Sequence, residues 1–286
     1  MTGARRLREL LAGGDTILVP GAFDALAARV LEQEGFDAIY AGGYAAAAAG
    51  FGLPDIGIVT GSEMVEHVSR IARAVSVPVI ADADTGYGEI VNVARTVREY
   101  ERAGAAAVQI EDQVFPKRCG HMEGKRVIPR DEMVRKVRAA LAARGDPDTV
   151  VVARTDAIAV TGLEDAIERM QAYREAGADV IFPDAPRSLE ELRAIAAAVE
   201  APLVANMSEH GKTPLLSQTE LAELGYAIVL YPSSTLFAAA QSVRDVARAL
   251  REQGTTRDVL DCLLPFGELN ELVGLGRWQA EEDRVA

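Results

Sequence analysis

The feature that most constrains the fold is a regular alternation of short apolar runs with amphipathic segments. The intervening segments, such as SEMVEHVSRIARAV and LEDAIERMQAYREA, have apolar residues at helical spacing and charges on the opposite face. Strands that are apolar throughout and alternate with helices are typical of a parallel sheet that is buried on both faces. The apolar runs are TILVPG from residue 16, FDAIYAG from 36, VPVIADAD from 77, AAAVQIED from 105, TVVVARTD from 149, ADVIFPDA from 178, APLVANMS from 201 and YAIVLYPS from 226.

Eight strands in alternation with helices predict an α/β fold of the (β/α)8 barrel type, which commonly needs about 250 residues. An open, doubly wound sheet is the alternative, but no GxGxxG motif follows the first apolar run. We therefore expect a single barrel domain over residues 1–286. Residues 253–286 exceed what eight strand–helix units require, and we expect them to form a helical extension that packs on a neighbouring subunit.

Composition and charge exclude several classes of protein. The formal net charge is −13, which argues against a surface for nucleic acid or for an anionic membrane. We expect no signal peptide and no membrane span, because no apolar run is long enough. Two cysteines far apart, Cys119 and Cys262, fit a reducing compartment, so a cytoplasmic location is predicted. Cys262 has apolar neighbours, and we expect it in the core.

Polar residues follow nearly every predicted strand, and the carboxylates among them indicate a metal site. Asp82, Asp84 and Glu111 end the third and fourth strands. The carboxyl ends of all barrel strands meet at one face, where converging carboxylates would repel one another without a cation. Mg²⁺ prefers oxygen ligands and leaves room for the oxygens of a substrate, and Mn²⁺ is the alternative. A turn capped by aspartate is the competing interpretation of the DADTG sequence.

The longest connection follows the fourth strand, over residues 112–129, and we call it the cysteine loop. It carries Lys117, Cys119, His121 and Lys125 in the sequence FPKRCGHMEGK. Long loops at the catalytic face of a barrel often close over the substrate. The basic neighbours predict a solvated thiol with a lowered pKa, and the cations are suited to an anionic substrate.

Several motifs together resemble the isocitrate lyase and phosphoenolpyruvate mutase superfamily. They are KRCGH, ADADTG, IEDQ, ARTDA, LGLPDIG, NMSEHGKTPL, YPSS and GTTRD, and they extend over essentially the whole chain. A cysteine in this loop distinguishes the carbon–carbon lyases of the superfamily from its mutases and phosphonate hydrolases. The chain is most similar to the 2-alkylmalate lyases, including 2,3-dimethylmalate lyase, and next to the methylisocitrate lyases. Met122, Tyr44, Asp184 and His210 depart from residues common in these groups.

The resemblance implies a Mg²⁺-dependent lyase that cleaves a 2-hydroxy di- or tricarboxylate to a 2-oxo acid and a carboxylate. It implies a small-molecule carboxylate as the partner and a homotetramer with exchanged C-terminal helices. The implied site residues fall into three groups: Cys119, Tyr40, His121 and Arg154 for catalysis; Gly42, Gly43, Lys117, Asn206, Ser208, Pro232 and Asp184 for substrate binding; and Asp82, Asp84, Glu111 and Asp55 for the metal.

Three other functions remain open from the sequence. An oxaloacetate hydrolase or decarboxylase of the same superfamily would use the same metal and loop. A phosphonomutase would have no role for Cys119. A barrel without catalytic activity, acting as a binding module, would show neither metal-dependent turnover nor any effect of changing Cys119.

Overall fold

The computed structural model describes residues 1–285 and contains the eight predicted strands in the predicted order. The bounds are β1 Ile17–Pro20, β2 Ile39–Ala41, β3 Val79–Asp82, β4 Ala107–Glu111, β5 Val150–Thr155, β6 Val180–Pro183, β7 Val204–Asn206 and β8 Ile228–Tyr231. All neighbouring strands pair in parallel. The strand predictions are therefore confirmed.

Helices connect the strands, and several of them begin at a residue whose side chain caps the first backbone N–H groups. In α4, for example, Thr60 and Glu63 form a reciprocal capping box. Short π-helical and 3₁₀ turns cover Ala47–Phe51, Ala157–Ala159 and Arg257–Cys262. The α-helices are α1 Gly3–Ala12, α2 Ala25–Gln33, α3 Gly43–Ala46, α4 Gly61–Ala74, α5 Ile90–Ala103, α6 Arg130–Ala143, α7 Leu163–Glu175, α8 Leu189–Ala198, α9 Gln218–Glu223, α10 Ser234–Gln253, α11 Phe266–Leu272 and α12 Leu275–Val285.

Two short junctions close the strands into a barrel. Five strands form one continuous sheet in the order β2-β3-β4-β5-β6, and β1-β8-β7 form the other. Isolated parallel bridges join Gly21 to Tyr40 and Ile181 to Leu203, which link β1 to β2 and β6 to β7. The predicted (β/α)8 barrel is therefore confirmed, and the open sheet is not.

The barrel interior is filled from its N-terminal end by apolar side chains. Alternate residues of each strand point inward, as the period of two requires. Ile17, Val150 and Val180 belong to this inner cluster, and α1 adds Leu7, which is fully buried. The inner cluster ends on the side of the strand C-termini at Tyr40 and Phe182, above which the inward-facing residues become polar.

The chain divides into two compact units, Met1–Ser234 and Thr235–Ala286. The second unit includes α10, so it begins before residue 253, and the predicted domain assignment stays a prediction. Within residues 1–285, no helix combines the length and apolarity that crossing a bilayer requires. Cys262 is exposed, so the expectation that it belongs to the core was wrong. Its apolar neighbours Leu260, Leu263 and Leu264 are exposed as well.

Replacing Leu7 by alanine tests whether α1 is part of the barrel core. We expect Leu7→Ala to lower the free energy of unfolding by about 2–5 kcal/mol, because the change leaves a cavity in a fully buried cluster. Leu26→Ala, at a side chain that is 43% exposed on α2, is the matched control and should cost less than about 1 kcal/mol. Urea denaturation measures both, and equal effects would contradict the role of Leu7.

Candidate active site

The polar end of the barrel interior collects the predicted site residues. We call this end, at the carboxyl termini of the strands, the mouth. Most of the predicted side chains there are buried, which is unusual for charged groups and indicates paired or ligand-binding roles. Those buried in the structure are Tyr40, Asp55, Asp82, Asp84, Glu111, Lys117, Arg154, Asp184, Asn206 and Ser208, whereas Cys119, His121 and Pro232 are half-buried.

Lys117 of the cysteine loop is paired with two carboxylates at the mouth. Its ammonium nitrogen lies 2.7 Å from Asp55 Oδ1 and 2.7 Å from Asp84 Oδ1. Asp84 has a left-handed backbone, with φ of 47°, which is costly for a residue with a side chain. Burial raises the pKa of Asp84 to about 6, against the opposing effect of Lys117. Lys117 therefore compensates two carboxylates that would otherwise be buried without a cation.

Asp82 is the carboxylate of this group that has no ion pair within residues 1–285. Its oxygens accept hydrogen bonds from the backbone N–H groups of Gly43 and Asp84 at 3.2 and 3.1 Å. Gln109 Nε2 also donates to it, at 3.2 Å, because Asp82 and Gln109 are register partners on adjacent strands. Three neutral donors leave the negative charge of Asp82 available to a cation.

Gly43 lets the backbone approach two of these carboxylates closely. A Cβ atom at this glycine would lie 3.2 Å from Asp84 Oδ1, 3.3 Å from Asp82 Oδ2 and 3.6 Å from Lys117 Nζ. No three Asp, Glu, His or Cys side chains within residues 1–285 converge closely enough to form a metal site by themselves. Mg²⁺ commonly binds one or two carboxylates and keeps several waters. The carboxylate of Asp82, which no cation of the described chain compensates, fits an ion bound in this way better than it fits a site with three or four direct protein ligands.

Arg154 lies between three carboxylates on the other side of the mouth. Its Nε is 3.3 Å from Glu111 and 3.0 Å from Asp156, and its Nη2 is 3.2 Å from Asp184. The pair with Glu111 follows from register, because the two residues are partners on β4 and β5. The guanidinium also lies 5.1 Å from the centre of the Phe182 ring. The neighbouring carboxylates raise the pKa of Arg154 despite burial, so its charge is permanent.

The buried carboxylate of Asp112 fixes the segment that carries Arg154. Asp112 accepts hydrogen bonds from Thr155 Oγ1 at 2.7 Å and from the backbone N–H of Asp156 at 2.9 Å. On its far side it accepts from Tyr173 at 2.7 Å and from Arg169 at 3.3 Å. Asp112 thereby connects the end of β5 to α7. Its role was not predicted from the sequence, which contains no local signal that separates it from Glu111.

The cysteine thiol is more buried than the sequence suggests. The backbone N–H of Cys119 donates to the carbonyl of Asp55 at 3.1 Å, so the loop rests on the barrel. Burial is the largest effect on the thiol and raises its pKa to about 11, although a backbone N–H of His121 opposes this. The predicted lowering of the pKa was therefore wrong. The basic neighbours are occupied elsewhere, and the thiol is an acid at neutral pH.

Tyr40 lies at the boundary between the apolar interior and the mouth. Its hydroxyl donates to Gln109 Oε1 at 3.3 Å, and its ring lies against Gly42, where a Cβ would be only 2.6 Å from Tyr40 Cε1. Burial raises the pKa of Tyr40 well above its ordinary value, which favours a hydrogen-bond donor over a base. Gln109 was missed by the sequence analysis, although its position two residues before Glu111 places both on one strand face.

His121, Asn206 and Ser208 lie on the side of the mouth formed by β7 and the loop that follows it. His121 Nδ1 accepts from the backbone N–H of Lys212 at 3.3 Å. Asn206 Nδ2 donates to Asp184 at 3.3 Å. His121 Nε2 and Asn206 Oδ1 have no hydrogen-bond partner within the described chain. Because His121 Nδ1 accepts, its Nε2 carries a proton and can donate to a ligand oxygen, whereas Asn206 Oδ1 can accept from a hydroxyl group or water.

Comparison with known protein families and sequences places this arrangement among metabolic enzymes. The family model of phosphoenolpyruvate phosphomutase matches residues 7–251. The chain is 46% identical to 2,3-dimethylmalate lyase of Eubacterium barkeri over 286 residues, which cover 100% of this chain and 99% of that protein. It is 48% identical to 2-methylisocitrate lyase of Aeropyrum pernix over 280 residues, which cover 98% and 90%.

Solved structures give the same result for the fold. Oxaloacetate acetylhydrolase in complex with 3,3-difluorooxalacetate superposes with a TM-score of 0.94 at 37% identity, covering 99% of this chain and 97% of the other. Phosphonopyruvate hydrolase in complex with oxalate and Mg²⁺ superposes with a TM-score of 0.90 at 37% identity, covering 99% of each chain. The similarity therefore includes both the barrel and the segments that form the mouth.

Alkylation with iodoacetamide tests the ionisation of the thiol. We expect the rate at Cys119 to rise with pH up to about 11, because only the thiolate reacts and burial disfavours it. Peptide mapping by mass spectrometry separates Cys119 from the exposed Cys262, which serves as the accessible control in the same sample. A half-maximal rate at Cys119 near pH 8 would contradict this and support the electropositive thiolate predicted from the sequence.

Proposed function

The chain belongs to the phosphoenolpyruvate mutase/isocitrate lyase superfamily, and on that basis we propose that it is a carbon–carbon bond lyase. The proposed substrate is a 2-hydroxy di- or tricarboxylate, either a 2-alkylmalate such as 2,3-dimethylmalate or 2-methylisocitrate. The products are pyruvate or another 2-oxo acid and a carboxylate. The two relatives that carry these names cover the chain almost completely, which supports the reaction class.

One observation carries this proposal: the thiol of Cys119 lies on a loop whose backbone is hydrogen-bonded to Asp55 at the mouth. As the bond beside the hydroxyl-bearing carbon breaks, the hydroxyl gives its proton to a buried carboxylate of the mouth and becomes the carbonyl of the 2-oxo acid. The bonding electron pair stays on the departing fragment, as a carbanion next to a carboxylate. That carbon needs a proton, and the pKa of about 11 means that Cys119 holds one at neutral pH. The loop also excludes water, which would otherwise compete as the proton source.

The residues at the mouth suit a divalent cation, and we propose Mg²⁺ with Mn²⁺ as the alternative. Asp82 would hold the ion, with Asp84, Glu111 and Asp55 around it. A bound divalent cation supplies Lewis-acid polarisation of the hydroxyl and carboxylate of a 2-hydroxy acid. A solved relative contains oxalate and Mg²⁺, which supports this cofactor class.

The remaining side chains have binding roles in this proposal. Arg154 and His121 donate hydrogen bonds that orient carboxylates of the substrate, since the guanidinium is permanently charged and His121 Nε2 is free. Burial lowers the pKa of His121, so the imidazole acts as a neutral donor. Tyr40 acts as a hydrogen-bond donor, and Lys117 keeps the carboxylates at the metal site in place. The backbone at Gly42 and Gly43, together with Asp184, Asn206, Ser208 and Pro232, lines the space for the substrate.

Hydrolysis of oxaloacetate is the second candidate function. It is supported by the TM-score of 0.94 to oxaloacetate acetylhydrolase. In that reaction water attacks the keto carbon, and the products are oxalate and acetate. The same metal site and cysteine loop would serve it, so geometry alone does not separate the two reactions.

A substrate panel distinguishes these functions. We expect pyruvate or another 2-oxo acid from 2,3-dimethylmalate, 2-methylmalate or 2-methylisocitrate with Mg²⁺, and none after EDTA, because the polarising cation is then removed. Isocitrate and oxaloacetate complete the panel, and 2-oxo acids are measured with a coupled dehydrogenase. Oxalate formed from oxaloacetate alone would support the hydrolase. Absence of turnover with every compound would support a binding module.

Replacing the thiol tests its role as proton donor. We expect Cys119→Ser to lower kcat at least 100-fold, because a serine hydroxyl is a much weaker acid, with a smaller change in KM. Cys262→Ser is the matched control and should leave both constants unchanged, since this thiol is exposed in the second unit. Full activity of Cys119→Ser would contradict the proposed chemistry.

We further propose a homotetramer in the cytoplasm. Within residues 235–285, Ala249 is the only buried residue, and large apolar side chains such as Phe266 and Trp278 are 83% and 64% exposed. Exposed apolar area of this kind is typical of protein interfaces. Both cysteines are free thiols, which fits a reducing compartment.

Sedimentation velocity tests the assembly. We expect the wild-type chain to sediment as a tetramer at micromolar concentration, and the double variant Phe266→Asp/Trp278→Asp to dissociate, because buried charges would be unpaired at the interface. A double variant at Glu281 and Glu282, changed to Gln on the exposed part of α12, is the control and should remain assembled. A wild-type monomer would contradict the proposal.

A further inference from the structure

Lys125 is a buried cation of the cysteine loop to which the reaction assigns no task. Only 2% of its side chain is exposed. Its ammonium group has three N–H donors, and three acceptors surround it: the carbonyl of Gly120, Asp156 Oδ1 at 2.8 Å and Asp184 Oδ2 at 3.5 Å. These contacts connect the residue next to Cys119 with the ends of β5 and β6.

The backbone of the cysteine loop at Gly120 lies very close to the side chains of Asp184 and Arg154. A Cβ atom at Gly120 would lie 1.9 Å from Asp184 Oδ2 and 2.5 Å from Arg154 Nη2. No side chain fits there while the loop is in its present position. The loop therefore rests directly on the pair formed by Asp184 and Arg154, with Lys125 at its other end.

The buried carboxylates around this contact need the positive charge of Lys125 in addition to that of Arg154. Glu111, Asp156 and Asp184 are buried together, and Arg154 alone cannot balance three carboxylates. Lys125 is the second cation of the group, and its pKa is raised by Asp156 and Asp184 despite burial. Removing it would leave buried negative charge uncompensated, which is costly. Opening the loop would have the same effect, because Lys125 moves with the loop.

The barrel side of this contact is held rigidly. Asp156 is fixed by its backbone N–H to Asp112 and by two hydrogen bonds from Arg154, at 3.0 and 3.1 Å. An ion pair to such an anchor places its partner more precisely than a pair between two mobile side chains. The carboxylate of Asp156 is thus fixed on the barrel, whereas its partner Lys125 belongs to the cysteine loop.

We propose that Lys125 is a positioning residue that holds the cysteine loop against the mouth through Asp156 and Asp184, and so places Cys119 for proton transfer. Lys125 does not touch the substrate in this assignment. It acts through the backbone of Gly120, to which it is hydrogen-bonded, and hence on the adjacent thiol. The proposal rests on the proposed function for the identity of the reaction, but not for the loop contact itself.

A second ion pair of the same loop provides a matched control. Lys212 Nζ lies 2.5 Å from Glu123 Oε1, but the side chain of Glu123 is 90% exposed. Exposed pairs of this kind contribute little, commonly below about 1 kcal/mol. The backbone hydrogen bond from Lys212 to His121 does not depend on the lysine side chain. Lys212→Met therefore removes an ion pair of the loop without removing a buried charge.

The primary test measures exposure of the loop directly. In Lys125→Met we expect iodoacetamide to alkylate Cys119 at pH 9 at least 10-fold faster than in the wild type, because the loop spends more time away from the barrel. Tryptic cleavage after Lys117 and Arg118 should accelerate by a similar factor. Lys212→Met should change either rate less than 2-fold, and circular dichroism verifies that each variant is folded.

Kinetics give the second readout. With the substrate identified by the panel, we expect Lys125→Met to lower kcat at least 10-fold, and Lys125→Arg to recover part of this loss because the charge is kept. Unchanged alkylation and cleavage rates in Lys125→Met would overturn the proposal. If only KM rose while the thiol remained protected, Lys125 would be a substrate-binding residue, and the proposal would also be wrong.

Gly120→Ala keeps the test valid if Lys125→Met does not fold. Its added methyl group cannot fit beside Asp184, so we expect the same gain in alkylation at Cys119 while Lys125 and both carboxylates remain. The double variant should be no more exposed than either single variant, since both changes release the same contact. If the increases in the alkylation rate of the two single variants multiplied in the double variant, the two changes would act on separate contacts, which would contradict the proposal. Alkylation and proteolysis need no substrate, so failure of the proposed reaction would leave these results interpretable.

Discussion

The ion pairs of Arg154 are the interaction on which the rest of the mouth depends. A guanidinium with permanent charge lies among Glu111, Asp156 and Asp184, and these residues come from three neighbouring strand ends. Such a group is stable only if each charge keeps its partner, because the cost of a buried unpaired charge exceeds the gain from most single contacts. The barrel keeps these partners together: parallel register puts Glu111 beside Arg154, and Asp112 holds Thr155 and Asp156 by hydrogen bonds.

The cysteine loop completes the charge balance of the mouth instead of only covering it. Lys117 compensates Asp55 and Asp84, and Lys125 compensates Asp156 and Asp184. The loop thus inserts one cation into each of the two carboxylate groups. These ion pairs offset part of the desolvation cost of burying both lysines. A substrate with two carboxylates adds negative charge to the same space, which a divalent cation at Asp82 would offset.

The sequence predicted the fold almost completely, because the period of the apolar runs depends only on local geometry. All eight strands, the loop over residues 112–129 and the candidate site residues at strand ends could be found in this way. The ion-pair partners of those residues could not be predicted from the sequence. Whether Lys117 pairs with Asp84, or Lys125 with Asp156, depends on how a long loop folds back, and no sequence spacing encodes that path. The same limit explains the error over Cys119: the loop buries the thiol, and the neighbouring Lys117 pairs with Asp55 and Asp84 instead.

Burial of the thiol links the position of the loop to its chemistry. A cysteine in water has a pKa near 8.5 and would lose part of its protons at neutral to alkaline pH. In the packed loop, burial raises that pKa to about 11, so Cys119 remains an acid over the range in which most metabolic enzymes work. The closure that excludes water from a carbanion is therefore the same event that keeps a proton on the sulfur. A loop that opened would expose the carbanion to solvent and, at the same time, weaken the preference for the protonated thiol, so both requirements of the proposed reaction select the packed state.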